Sequence, residues 1–571
     1  MDHQPLLPWK HSRLGPGLAW GDANGDGDPD LFVGGAAGQS GRLYVNRDGK
    51  LVQRKRRGPW KMDAGHEDMG VIWVDVNGDG DSDLYVASGS SEHRPGSSEL
   101  GDRVYLNNGA GRFRLAPAKV LPEDRTFSGT VCSVDYDRDG DSDLFVGGRM
   151  VPRHYPDSPP SRLLENRNGR FVDITDEVAP ELAKAGMVTG ALWTDVNGDG
   201  WMDLMVVLEW GPIRYFENQD GTKLVEKTAD VGLSESSGLW NGITGTDVNG
   251  DGRMDYVVSN FGRNSRYHAS ANRPYVLYAG DLDGDGDREL VEALYQGETL
   301  YPVRGRDMLA RVMPFVESKF ETYKTYSEAT LSDIVPEKRL GRARRLEVRR
   351  LSSVILENRE GRDGGVQFRV QPLPQEAQLS PGFGVVTSSF DEKPGPDLLM
   401  AQNFFGTESW ITTGRIDGGV GVLFGGGSSG SFRAMSAKKS GLFLRGDMKA
   451  AANADVNGDG RPDVVIARNN GKQVLLTHRS DEEASPLEIR FARPDKTTIA
   501  GTRVTGVVNG SVQWSREVYA GSGYLSQSFP RLYVTPAPDR SEITLRVRWP
   551  DGTTTRRTVR DPHGKQIICR P

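Results

Sequence analysis

Apolar residues along this chain fall in short runs of four to six. "DLFVGG" (30–35), "DLYVAS" (83–88), "DLFVGG" (143–148), "DLMVVL" (203–208) and "DYVVSN" (255–260) each follow an acidic, glycine-rich turn. Most are followed by a second run ending in Asn and Gly, as in "RLYVNRDG", "RVYLNNGAG", "RLLENRNG" and "IRYFENQDG". A last short run such as "FRLAP", "FVDIT" or "LVEKT" completes the unit. Short β-branched and aromatic runs bounded by turns predict strands. With the strand that enters each turn, every unit holds four. The turns begin at Asp22, Asp75, Asp135, Asp195 and Asp247, so the unit recurs at intervals of 53, 60, 60 and 52 residues. A four-stranded unit at such a period predicts an all-β fold, a seven-bladed β-propeller, with eight blades as the alternative.

The pattern breaks in three places. After blade five begins, its third and fourth strands are delayed to "SSVILENREG" and "VQFRVQPLP", so about 262–350 reads as an insertion. It carries a turn of its own at Asp281 and a helical run through Leu309, Val312, Met313, Val316, Phe320 and Tyr323, interrupted by Pro314. The last blade shows three strands before residue 480, and the amino-terminal "LLPWKHS" is expected to pair with it. From 484 to 571 the acidic turns vanish, and alternating strands with turns at Asn509-Gly510 and Asp551-Gly552 predict a small separate β domain.

The turns themselves carry chemistry. The first places Asp22, Asn24, Asp26, Asp28 and Asp30 at positions 1, 3, 5, 7 and 9. It recurs as Asp75, Asn77, Asp79, Asp81 and Asp83, and as Asp135, Asp137, Asp139, Asp141 and Asp143. Further copies are Asp195, Asn197, Asp199, Trp201 and Asp203, then Asp247, Asn249, Asp251, Arg253 and Asp255. The last two are Asp281, Asp283, Asp285, Asp287 and Glu289, and Asp455, Asn457, Asp459, Arg461 and Asp463. Like charges this close repel unless a cation sits among them. Side-chain oxygens at 1, 3, 5 and 9 with a backbone carbonyl at 7 suit calcium, whose larger sphere takes six or seven flexible oxygens. An EF-hand is excluded, because position 12 of the first loop is Val33 and the flanks are β-prone. An eighth copy has Ser389 at position 1 and Lys393 at position 5, so this loop is expected to be empty, the Lys393 ammonium standing in for the ion.

These loops with their flanking strands resemble the FG-GAP/VCBS repeats of integrin-α-like propellers over residues 1–480. "GTRVT", "REVYAGSGYLSQS" and "VRWPDG" resemble the ASPIC/UnbV domain, a pairing similar to the cartilage acidic protein family. The resemblance implies about seven calcium sites on one face of a secreted or surface-exposed binding scaffold. "MDHQPLLPWK" lacks the apolar segment of a secretion signal, so the expectation of an extracellular, cell-surface or periplasmic protein assumes a truncated or processed start.

Charge and cysteine add two points. The formal charge of −7 becomes −7 + 14 = +7 with seven calcium ions bound, which favours an anionic partner. The only cysteines, Cys132 and Cys569, are expected to be free thiols. No run of about 18 apolar residues would cross a membrane. Basic runs such as "GRARRLEVRR" are short and read as solvated surface, which argues against a nucleic-acid partner.

The resemblance leaves the face opposite the loops for ligand. Expected there are Arg149, His154, Tyr155, Trp240, Arg263, Asn264 and His268, with Trp210, Asn403 and Trp410 near them, a set suited to a glycan or protein ligand of acidic character. The alternative is a carbohydrate-active enzyme, lyase-like, with His154, Tyr155 and Arg149 as base, acid and charge neutraliser. No G-x-S-x-G elbow, H-E-x-x-H motif or carboxylate pair outside the loops supports catalysis.

Overall fold

A computed structural model of the chain describes residues 4–54, 58–407, 415–427, 430–479, 486–492 and 498–571. The first blade shows how the sequence pattern becomes a sheet. Strands Leu18–Gly21, Asp30–Val33, Arg42–Arg47 and Lys50–Gln53 pair antiparallel in chain order, with Leu31 opposite Trp20 on one side and Tyr44 on the other. The first two strands are wholly buried and the last is largely exposed. Burial therefore falls from the centre outward, as the drift from apolar to mixed runs predicts.

Six further sheets repeat the plan. Their innermost strands are Asp68–Val74, Ser128–Val134, Met187–Thr194, Ile243–Thr246, Gly382–Ser388 and Asp447–Ala454. Each lies against the innermost strand of the next, and Asp447–Ala454 lies against Leu18–Gly21 of the first. The seventh sheet has three strands among the described residues.

The insertion forms a sheet of its own, from Tyr275–Gly280, Glu289–Gln296, Thr299–Pro302 and Arg344–Val348, beside blade four. It adds no innermost strand, which is why the count is seven. Five short helices cover it, and Leu309, Met313 and Val316 are wholly buried as their spacing predicts. Pro314 precedes helix Phe315–Lys319, where its missing N–H costs nothing.

Two expectations need correction. The amino-terminal segment does not supply the fourth strand of blade seven. Trp9 bridges Thr407, the Lys10 N–H donates to the Gly406 carbonyl at 2.7 Å, and His11–Arg13 is a short 3-10 helix. Leu6, Trp9 and Leu14 are buried against the insertion and the blades, a larger apolar gain than an edge strand offers.

Nor does the tail stand apart. Its two sheets enclose a core of Trp514, Leu545 and Trp549, but residues 518–529 leave that core and enter the centre of the blades. There Ala520 accepts from the Ser133 N–H, Leu525 from the Leu18 N–H and Gln527 Oε1 from the Trp73 N–H, while Gly523 exchanges two backbone bonds with Ile243. Phe529 donates to the Asn453 carbonyl, and the Tyr524 hydroxyl donates to the Leu14 carbonyl at 3.1 Å. Gly523 has φ +69°, and a Cβ there would lie 2.8 Å from the Val385 carbonyl oxygen. Only glycine fits so close an approach in the left-handed region.

Candidate metal loops and the opposite face

Each loop is shaped by its own carboxylates. Asp22 accepts from the Gly25 N–H at 2.7 Å and the Gly27 N–H at 2.8 Å, Asn24 accepts from the Asp26 N–H, and Asp26 accepts from the Asp28 N–H. The glycines take φ of +75° and +85°, which turns the chain about these oxygens. The same bonds recur at Asp75, Asp247 and Asp455. Oxygens of Asp135, Asp137 and Asp143, and of Asp281, Asp283 and Asp285, converge closely enough to share one ion.

Position 9 has a second task. Asp30 is completely buried; it accepts from the Ala23 N–H at position 2 of its own loop and from the Asn46 N–H at the end of the third strand. Asn46 then donates across the blade boundary to the Val456 carbonyl of blade seven at 2.8 Å. Asp83 with Asn107, Asp143 with Asn166, Asp203 with Asn218 and Asp255 with Asn358 repeat the clasp, reaching Ala23, Val76, Tyr136 and Val196 of the preceding blade. The Asn that ends these five third strands is visible in the sequence; its partner in the previous blade is not.

Burial pushes these carboxyl groups up, neighbouring carboxylates add to the effect, and the backbone N–H donors oppose it. Asp30 and Asp83 reach about 7, Asp255 about 8 and Asp463 about 6. Such groups need nearby positive charge to stay ionised. Hard oxygen donors, glycine-permitted turns and this uncompensated charge fit calcium.

Among the described residues, side-chain cations pair with the first carboxylate of two loops. In blade four, Arg503 and Arg548 of the tail pair with Asp195 Oδ2. In the insertion, Arg339 pairs with Asp281 at 3.2 Å, and a Cβ on Gly284 would meet its guanidinium. The Ser389 loop differs from expectation. Lys393 is exposed and its ammonium pairs with neither Asp391 nor Asp397 among the described residues. Ser389 instead donates to the Tyr533 carbonyl and accepts from the Thr535 N–H, so this loop seats a strand of the tail.

On the other face the residues expected to meet ligand are divided. Arg149 and Tyr155 are buried on Glu209: the Arg149 guanidinium pairs with Oε2, and the Tyr155 hydroxyl donates to Oε1 at 2.8 Å. Trp9 Nε1 donates to the same oxygen at 3.0 Å, and His11 Nε2 lies 3.6 Å away. Burial would raise the Glu209 carboxyl, but Arg149 and His11 outweigh it and hold it well below the usual range. Burial lowers His11. Trp240 is core, its Nε1 donating to the Ser236 carbonyl. His154, Arg263, Asn264 and His268 are exposed, and Asn264 donates to the Leu379 carbonyl. Trp410 lies outside the described residues.

Glu209 was not anticipated as a hub, although a carboxylate ending the apolar run "DLMVVLE" signals a buried partner. Beside it Trp210 packs on Tyr275 of the insertion, whose hydroxyl donates to Glu292, and Glu292 pairs with Arg304. Arg304 donates to the Leu6 and Leu7 carbonyls. The centre of this face is thus covered by the chain's own amino-terminal segment. Cys132 and Cys569 are buried free thiols. No described helix is long and apolar enough to cross a membrane.

Sequence comparison bears on the repeats and the tail. The FG-GAP-like repeat model matches residues 22–86, 75–146 and 195–258, and the ASPIC and UnbV model matches 493–568. The chain carries FG-GAP-like repeats and an ASPIC and UnbV domain. Cartilage acidic protein 1 of Mus musculus is 24% identical over 294 residues, covering 47% of this chain and 42% of the relative. The chain therefore matches less than half of that relative's length. Among solved structures, the biofilm matrix protein Bap1 of V. cholerae is similar at 10% identity, covering 94% of this chain and 84% of Bap1, with a TM-score of 0.28. The exotype rhamnogalacturonan lyase YesX is similar at 11% identity, covering 95% and 82%, with a TM-score of 0.29. Scores this low leave the fold to rest on its own strand pairing.

Proposed function

We propose that the protein is a calcium-stabilised extracellular or cell-surface binding scaffold that takes a glycan or protein ligand on the face opposite its acidic loops. The observation carrying this reading is the repeated loop, in which buried carboxylates join five of the blades to the one before, and a bound cation would keep these carboxylates ionised. Calcium here is a structural ion: it neutralises the loops, and the loops hold the blades. The tail lies on the loop side, with Ser515 on Asp247 and Arg531 on the Gly27 carbonyl. That side is in part used, which leaves the rim of the opposite face for a partner. A relative named as a cartilage acidic protein supports an extracellular setting.

A lyase reading loses support, because Arg149 and Tyr155 are engaged by Glu209 and buried away from any substrate. Ligand arrays of glycans and extracellular proteins, read with calcium and with chelator, test the scaffold reading. Calcium-dependent binding without release of unsaturated sugar products is the expected result; steady production of such products would make the protein an enzyme.

A further inference from the structure

The opposite face has a cleft of about 520 Å³ where the amino-terminal segment meets blades six and seven. Its walls bring together Lys10 and Arg13 from the segment, Arg415 from blade six and Arg468 from blade seven. Arg13, Arg415 and Arg468 have no carboxylate partner among the described residues. They are positioned by other means: Arg13 donates to the Phe405 carbonyl at 3.0 Å, Arg468 donates to the Lys472 and Arg445 carbonyls, and Arg415 lies over the Phe405 ring at 5.0 Å. The one carboxylate among the described lining residues, Asp447, is neutralised from beneath by buried Lys449 at 2.6 Å. Among the described residues the cleft therefore presents three arginines without a carboxylate partner, above a neutral pair.

We propose that this cleft binds the carboxylate of an acidic saccharide. Guanidinium groups held by backbone carbonyls keep further N–H donors for a carboxylate, a geometry that favours bidentate recognition. Between the charges lie neutral groups. Asn469 uses its amide N–H on the Gly15 carbonyl, which leaves its oxygen to accept from a sugar hydroxyl. The volume is that of an ordinary small-ligand site. A uronic acid carries both an anionic group and ring hydroxyls, and so matches charge alternating with amide better than a run of acidic side chains does. The proposal rests on the scaffold reading and names the ligand class and the place.

Calorimetry with trigalacturonate tests it, using neutral maltotriose and a hexaglutamate peptide as comparators. Trigalacturonate is expected to bind, more weakly as salt rises, and Arg468→Ala or Arg13→Ala should each weaken it at least about tenfold with an unchanged melting temperature. Arg556→Gln with Arg557→Gln, on the exposed basic strand of the tail, should leave binding unchanged. Equal binding by wild type and both cleft variants would overturn the site. Tighter binding of hexaglutamate would overturn the ligand class. If trigalacturonate fails while the arrays show another calcium-dependent ligand, the cleft proposal falls and the scaffold reading stands; if the arrays show no ligand of any class, the scaffold reading falls too.

Discussion

Glu209 shows how a single buried carboxylate organises the far face. It gathers Arg149 and Tyr155 from one loop of blade three and Trp9 from the amino-terminal segment, and its charge is balanced by one guanidinium. Glu209→Gln leaves Arg149 buried and unpaired, and is expected to cost about 3–5 kcal/mol in denaturant unfolding at pH 7. The sign with pH follows from the depressed Glu209 carboxyl. Its contribution is complete above the unfolded value of 4.5 and is lost as pH falls toward the lower folded value, so wild type and variant should converge in acid. A difference that persists unchanged into strong acid would contradict the pairing. At the blade boundary, Asn46→Ala removes the donor to Val456 and the acceptor for the Gly49 N–H, and is expected to cost about 1–3 kcal/mol for each buried group left unpaired. A loss below measurement would show that the clasp is unimportant.

Among the elements, blades were legible because each carries its own period, turn and apolar run, so local pattern and tertiary position agree. The same loops pointed to a cation, and the Asn closing the third strand of the first five blades was visible without its partner, since a contact to the previous blade leaves no spacing signal. The amino-terminal segment misled for a related reason: "LLPWKHS" reads as a strand, but its Trp and Leu residues find more apolar area beneath the insertion than at an edge. Segment 518–529 was read as part of a separate domain because close approach to distant strands is recorded only as glycines. That element makes a test. A Cβ on Gly242 would lie 2.6 Å from the Gly523 carbonyl oxygen and 2.7 Å from that of Phe383. Gly242→Val should expel the segment and open 518–529 to limited proteolysis, whereas wild type should resist; equal resistance would mean that the segment is held elsewhere. The arginines at two loops give another. Arg339→Ala removes the competing cation at Asp281 and should raise calcium affinity there, read as one tighter site in a calcium titration. An unchanged titration would show that Arg339 does not compete.

Taken as a whole, the molecule is held by three devices that meet at its centre: loops on one side, the amino-terminal segment on the other, and residues 518–529 between them. On the proposed reading only the first depends on an ion. Without calcium the chain carries a formal charge of −7, with carboxylates crowded at each blade entrance; with seven ions it becomes +7, which suits an acidic ligand. At a calcium concentration one hundred times the dissociation constant, each occupied loop contributes about 2.7 kcal/mol, and several loops act on one ring of blades. The most direct measurement is the melting temperature of the full chain in millimolar calcium and in excess chelator, followed by calorimetry. The account predicts a fall of many degrees on chelation, reversed by calcium and not by an equal ionic strength of sodium. A melting curve that is the same with and without chelator would contradict it.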